Sequence, residues 1–204
     1  MKGKLLFLLF LLFGMLAYGQ TSTDSISAEQ NQTEHLKFKG IEMKGDIGNF
    51  AVELNKKGYK ILKSAYGGKH EYLMQGMFLD RDCYIFIEGT KKTETVFMLN
   101  IYFNKYKNFG KAYNDYKEIK DIYADKYSMI GSNESAIEDS DTEMALRMGR
   151  KQCSTSYAND SGLIKVEMKY DSNIYKTVVA ITYVDYANME LVGQEKGTKY
   201  NDEI

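Results

Sequence analysis

Few residues in this 204-residue chain have the types and spacing to do chemistry. His70 and Cys83 supply a base and a thiol nucleophile, but one sits in a turn and the other in a strand, so only chance would bring them together. His35, the second histidine, borders a polar segment that is a poor platform for catalysis. Asp139, Asp141 and Glu143 alternate as in a calcium loop. Met144, however, stands where such a loop needs its sharp-turning glycine, and the distal glutamate is missing. Asp80 and Asp82 read as turn formers rather than as an acid–base pair. Cys-X-X-Cys, His-Glu-X-X-His, Gly-X-Ser-X-Gly, phosphate-binding and dinucleotide-binding patterns do not occur. The sequence therefore predicts no catalytic residue, no metal and no cofactor. Cys83 and Cys153 are the only cysteines. A disulfide between them would stabilise by up to about 4 kcal/mol, and two separately buried thiols fit the sequence equally well.

The stretch Glu71 to Phe103 must position any site. It reads as three strands joined by two short polar turns, in a chain without proline. Alternation places Cys83, Ile85 and Ile87 on one face and Tyr84, Phe86 and Glu88 on the other. Phe97, Leu99, Ile101 and Phe103 oppose Val96, Met98, Asn100 and Tyr102, while Tyr72, Met74 and Phe78 oppose Leu73, Met77 and Leu79. Both faces are largely apolar, so the second must be covered or bound. Tyr72, Tyr84, Phe86 and Tyr102 are the candidate partner contacts. The competing expectation packs them beneath a helix or another sheet.

At the start, Lys2 and Lys4 precede the apolar run Leu5 to Leu16, and Ala17-Tyr18-Gly19 supplies small residues for cleavage. Residues 1–19 thus read as a signal peptide, with the mature chain beginning at Gln20. Gln20 in place of cysteine excludes a lipid anchor at that cut, and no membrane span is expected after it. Cleavage takes the net charge from −1 to −3, with 25 basic residues (27 less two) against 28 acidic. That balance gives no electrostatic case for nucleic acid or an anionic membrane. The expected location is periplasmic or secreted. Residues 20–34 form a polar, flexible leader. Within it, Asp24-Ser25-Ile26 looks like an acceptor for O-linked glycans of exported bacterial proteins, which makes Ser25 a candidate modification site.

The folded part begins with a short strand around Leu36, Phe38 and Ile41. A helix over 47–57 follows, capped by Asp46 and stopped by Gly58, and then a strand from Tyr59 to Ser64. A long amphipathic helix over 105–128, capped by Asn104, carries Phe109, Tyr113, Tyr116, Ile119, Tyr123 and Tyr127 as core lining. Residues 131–143 read as an acidic connection. Ala145 to Tyr157, Leu163 to Tyr170 and Lys176 to Val184 read as strands, and Gly193 to Ile204 as a frayed polar tail. The fold class is α+β: two helix-plus-antiparallel-sheet units, about 35–103 and 104–192, in one domain with helices packed on the sheet.

The segment HLKFKGIEMKGDIGNFAVELNKKGYK, residues 35–60, resembles the opening of a group of small secreted proteins from Bacteroides-like bacteria. Phe38, Gly40, Ile41, Gly45, Phe50, Leu54, Lys57, Gly58 and Tyr59 carry the likeness, with GMFLDRDCYIFI (76–87) and ADKYS (124–128). Glu42 stands where many members have proline. The resemblance implies a repeated helix-then-antiparallel-strands fold comparable to β-lactamase-inhibitor-like modules, and it implies no activity. The function expected is a non-enzymatic module that binds an envelope or extracellular protein. A small secreted hydrolase or carbohydrate-active enzyme is one alternative. The other is an envelope component that self-associates through an uncovered strand edge.

Overall fold

The computed structural model describes residues 34–62, 70–103, 106, 108–134, 141–149, 153–172, 174 and 176–201. The proposed signal peptide, most of the leader and Ser25 lie outside them.

A small hairpin, β1 (Lys37–Phe38) with β2 (Ile41–Glu42), precedes helix α1 (Ile47–Lys56) and strands β3 (Lys60–Leu62), β4 (Glu71–Phe78), β5 (Arg81–Gly89) and β6 (Val96–Phe103). Helix α2 (Phe109–Ala124) then leads to β7 (Ser128–Glu134), a short helix α3 (Asp141–Arg147), strands β8 (Cys153–Asn159), β9 (Gly162–Asp171) and β10 (Lys176–Asp185), and helix α4 (Tyr186–Asn201). Strands β3 to β10 form one antiparallel sheet in the order β3-β4-β5-β6-β10-β9-β8-β7. Each half is a helix followed by four strands, and the halves join where β6 pairs with β10. The chain is α+β with helices packed on its sheet.

Register decides what lies beneath the helices. One row across the sheet runs Met74, Ile85, Ile101, Ile181, Val166, Thr155, all of them buried. Helix α1 covers this face over β4 and β5, and α2 covers it over β8, β9 and β10. Asp46 caps α1 by accepting from the Asn49 N–H at 2.9 Å, and Gly58 at φ 94° ends it, both as the sequence predicts. Ile47, Phe50, Ala51 and Leu54 are its buried stripe. On α2 the buried set is Ala112, Asp115, Tyr116, Ile119 and Tyr123.

Local readings differ from the structure in five places. Helix α2 starts at Phe109, where Asn108 takes the extended cap conformation and accepts from the Lys111 N–H at 2.9 Å; the expected cap Asn104 lies outside the described residues. A bulge at Glu88/Gly89 shifts the parity of β6, so Val96 is buried and Phe97 is partly exposed. Residues 128–134 form edge strand β7; all seven are exposed, and without a buried face they carry no alternation to read. Asp141–Arg147 is helical where the sequence predicts a loop and the start of a strand, and it is anchored by buried Leu146 and by Arg147, whose guanidinium lies 5.2 Å from the Tyr170 ring centroid. Residues 193–201 continue α4. This helix has no apolar stripe to betray it; it is capped by Asp185, which accepts from the Asn188 N–H at 3.0 Å, and is pinned where Glu195 accepts from the Lys92 and Thr93 N–H groups.

Close packing of Tyr59 explains Gly76. A Cβ there would lie 2.4 Å from the Tyr59 ring, whose hydroxyl donates to the Met77 carbonyl at 2.9 Å. Gly76→Ala should destabilise the protein by about 1–3 kcal/mol in urea unfolding, since the buried ring cannot retreat without breaking that bond. An unchanged midpoint would contradict this packing.

Candidate functional site

The opposite face of the sheet has no helix on it among the described residues. Along the registers it carries Gln75, Tyr84, Tyr102, Ala180 and Glu167 in one row, with Leu73, Phe86, Asn100, Thr182 and Lys165 in the next. A third row carries Glu71, Glu88, Met98, Val184 and Leu163. Large aromatic groups thus stand on β5 and β6, and small side chains on β10.

This contrast in size makes a groove of about 690 Å³, floored by Leu73, Tyr84, Phe86 and Tyr102 and walled by Lys169 to Ser172 and Ile174 of the β9–β10 hairpin. Phe86 meets Tyr102 edge to face, with centroids 5.4 Å apart at 88°. The Lys169 ammonium lies 5.2 Å from the Tyr102 ring centroid, and Val178 and Ala180 between them are only 1% exposed. Side chains of the sheet itself therefore cover part of this face. Tyr84, Phe86 and Tyr102 remain partly exposed and contiguous.

Electrostatics divide the face. Lys165 and Lys169 both bind Glu167 at 2.7 Å. Burial alone would raise the Glu167 carboxyl, but these two bonds hold it below its ordinary value. For Lys169 burial acts downward, yet Glu167 raises it overall. Glu88 is the opposite case. Burial pushes its carboxyl up, the neighbouring Glu71 pushes it further, and only the bond from Asn100 Nδ2 at 3.0 Å opposes them. Asn100 is oriented in turn by the Thr182 hydroxyl, which donates to its Oδ1 at 2.8 Å.

The structure brings three of the four predicted contacts together. Tyr72 stands directly opposite Ile87 on the helix-covered face and packs against α1 at Gly48, because its parity follows Met74 rather than Leu73.

The other sequence candidates are scattered. His70 lies beside the Glu71–Glu88 end of the β4–β5 ladder and Cys83 near its far end, opposite Gly76, so no base meets the thiol. Burial, helped by the Asp82 charge, pushes the Cys83 thiol up to about 11, away from nucleophilic use. Cys83 and Cys153 are not bonded to each other. Strands β6, β10 and β9 separate them, a span of about 19 Å at ordinary strand spacing, which no disulfide bridges. Asp80 is a turn residue as expected: with Leu79 it adopts positive φ in the two-residue β4–β5 turn. Asp139 lies outside the described residues, and Asp141 and Glu143 belong to α3 rather than to a loop. No set of three metal-ligating side chains occurs among the described residues, and none of their helices is long and apolar enough to cross a membrane.

Two polar clusters escaped the sequence reading because their members are far apart in the chain. His35 Nδ1 lies 3.1 Å from Asp185, which is wholly buried and also accepts from the Leu36 and Asn188 N–H groups. At the end of α2, Arg81 donates to Asp115 at 2.9 Å, to Glu118 at 2.7 Å and to the Leu79 carbonyl at 2.6 Å, and Lys111 reaches Asp115 at 2.8 Å. The Tyr106 hydroxyl is buried in the same depression of about 410 Å³. This cluster ties α2 to the β4–β5 turn.

No family model, no curated protein and no solved structure matches the chain.

For Asp115, burial acts to raise the carboxyl, but the bonds and charges of Arg81 and Lys111 outweigh it and leave it below its ordinary value. A depressed folded-state value means that its stabilisation is present above the unfolded value and lost as pH falls through the folded one. The stability gap between wild type and Asp115→Asn should therefore be constant above about pH 5 and shrink below about pH 4. A gap that widens in acid would refute this.

Proposed function

We propose that this chain is an exported, non-enzymatic module that binds an envelope or extracellular protein through the open face of its sheet. Tyr84, Phe86 and Tyr102, with Leu73 from the neighbouring strand, are the contacts. The observation that carries the reading is the groove itself: contiguous aromatic side chains, partly exposed, on a sheet face without a helix among the described residues. Tyrosine and phenylalanine supply large contact area at low entropic cost, and they anchor protein interfaces for that reason. Export is supported by Lys2, Lys4 and the apolar run Leu5 to Leu16. The two similar halves joined edge to edge agree with the repeated fold that the Bacteroides-like resemblance implies.

A photocrosslinking residue at Tyr84 should capture a protein adduct in the producing cell, and the same residue at Val52, exposed on α1, should not. Equal capture from both positions, or adducts from Val52 alone, would overturn the reading.

One observation favours a second reading, a small secreted carbohydrate-active hydrolase. Glu88 has a raised carboxyl and lines an aromatic groove, and these are features of a general acid facing a sugar ring. That reading requires glycoside hydrolysis that falls at least about 100-fold in Glu88→Gln, the low end of a general-acid contribution. Activity unchanged by the substitution would end it.

A further inference from the structure

We infer that the groove takes a basic side chain of its partner, a lysine or arginine whose stem lies on Phe86 and Leu73 and whose charge meets Glu88 and Glu71. This inference rests on the reading of the groove as the partner-binding face.

Glu71 and Glu88 stand directly opposite each other in the antiparallel ladder, on the same face as Leu73 and Phe86. Like charges in that relation repel and destabilise the pair of strands. Neither carboxylate has an ion-pair partner among the described residues, and the rest of their row is Met98, Val184 and Leu163. The third glutamate on this face, Glu167, is neutralised by two lysines. The pair lies at the end of the face away from the β9–β10 hairpin, and Glu88 lines the groove.

Glu88 is half-buried and holds one hydrogen bond, from Asn100 to Oε1. A carboxylate so placed loses hydration without gaining a counter-charge, and an incoming cation would supply what the fold withholds. The apolar neighbours Leu73 and Phe86 suit the methylene stem of lysine or arginine, which packs on apolar surface while its charged end reaches further. Lys169 already does this on the same face: its stem crosses β10 beside Val178, and its ammonium rests on the Tyr102 ring. An acidic partner would meet two carboxylates, and a wholly apolar one would bury Glu88 without a partner for its charge.

A random peptide library displayed on phage and panned against the whole protein tests this without assuming a ligand. Clones that lose binding to Phe86→Ala, and to Tyr84→Ser as a second groove variant, define the groove binders. Thermal melting of each variant confirms that it is folded. Those clones should carry lysine or arginine beside apolar residues and bind the Glu71→Gln, Glu88→Gln protein at least about tenfold more weakly, the low end expected for a charged hydrogen bond. Groove binders that are neutral or acidic and keep their affinity for the double variant would overturn the cation inference and leave the groove standing. Clones indifferent to both groove variants would overturn the groove and this inference together.

Discussion

The antiparallel seam between β6 and β10 is the constraint on which the rest depends. It pairs Ile101 with Ile181 and Leu99 with Tyr183, so that apolar rows of the first half continue into those of the second without a step. Because side chains alternate with a period of two, slipping the seam by one residue would turn every inward group of one half outward. Both helices could then not lie on one face. The seam also places Ala180 beside Tyr102 and Thr182 beside Asn100, and the groove owes its shape to these two adjacencies.

A sheet face with no helix on it among the described residues has a cost that the protein meets locally. On β9 the exposed positions are charged and cancel among themselves at Lys165, Glu167 and Lys169. On β10 the small side chains of Val178 and Ala180 are buried beside the Lys169 stem. Large aromatic groups stand partly open to solvent on β5 and β6, at Tyr84, Phe86 and Tyr102. The face is therefore graded, charged on one side and aromatic on the other, with a like-charged pair at one end. Uniform solvation would not require such a gradient, whereas a binding surface uses it for orientation.

How much was legible in the sequence follows from how far apart the deciding residues lie. Helix α1, its caps at Asp46 and Gly58, and the β4 to β6 meander could be read because each signal sits within a few residues. The same alternation located Tyr84, Phe86 and Tyr102 on one face. It also grouped Tyr72 correctly with Met74, and only the choice of Tyr72 as a contact beside Tyr84 and Phe86 crossed from one face to the other; Phe97 was misplaced through a bulge that no local pattern announces. Strand β7 and helix α4 lack a one-sided apolar face, so periodicity had nothing to detect. The Asp185 hub and the Arg81–Asp115 cluster join residues up to 150 positions apart, and they become visible only once the chain is folded.

The distance between Cys83 and Cys153 has a further consequence. With β6, β10 and β9 between them, no covalent cross-link joins the two halves, and their cohesion comes from the ladder and the buried aromatic core. Stability then carries no contribution from the redox poise of the surroundings. The chain needs no thiol oxidase to reach its native state.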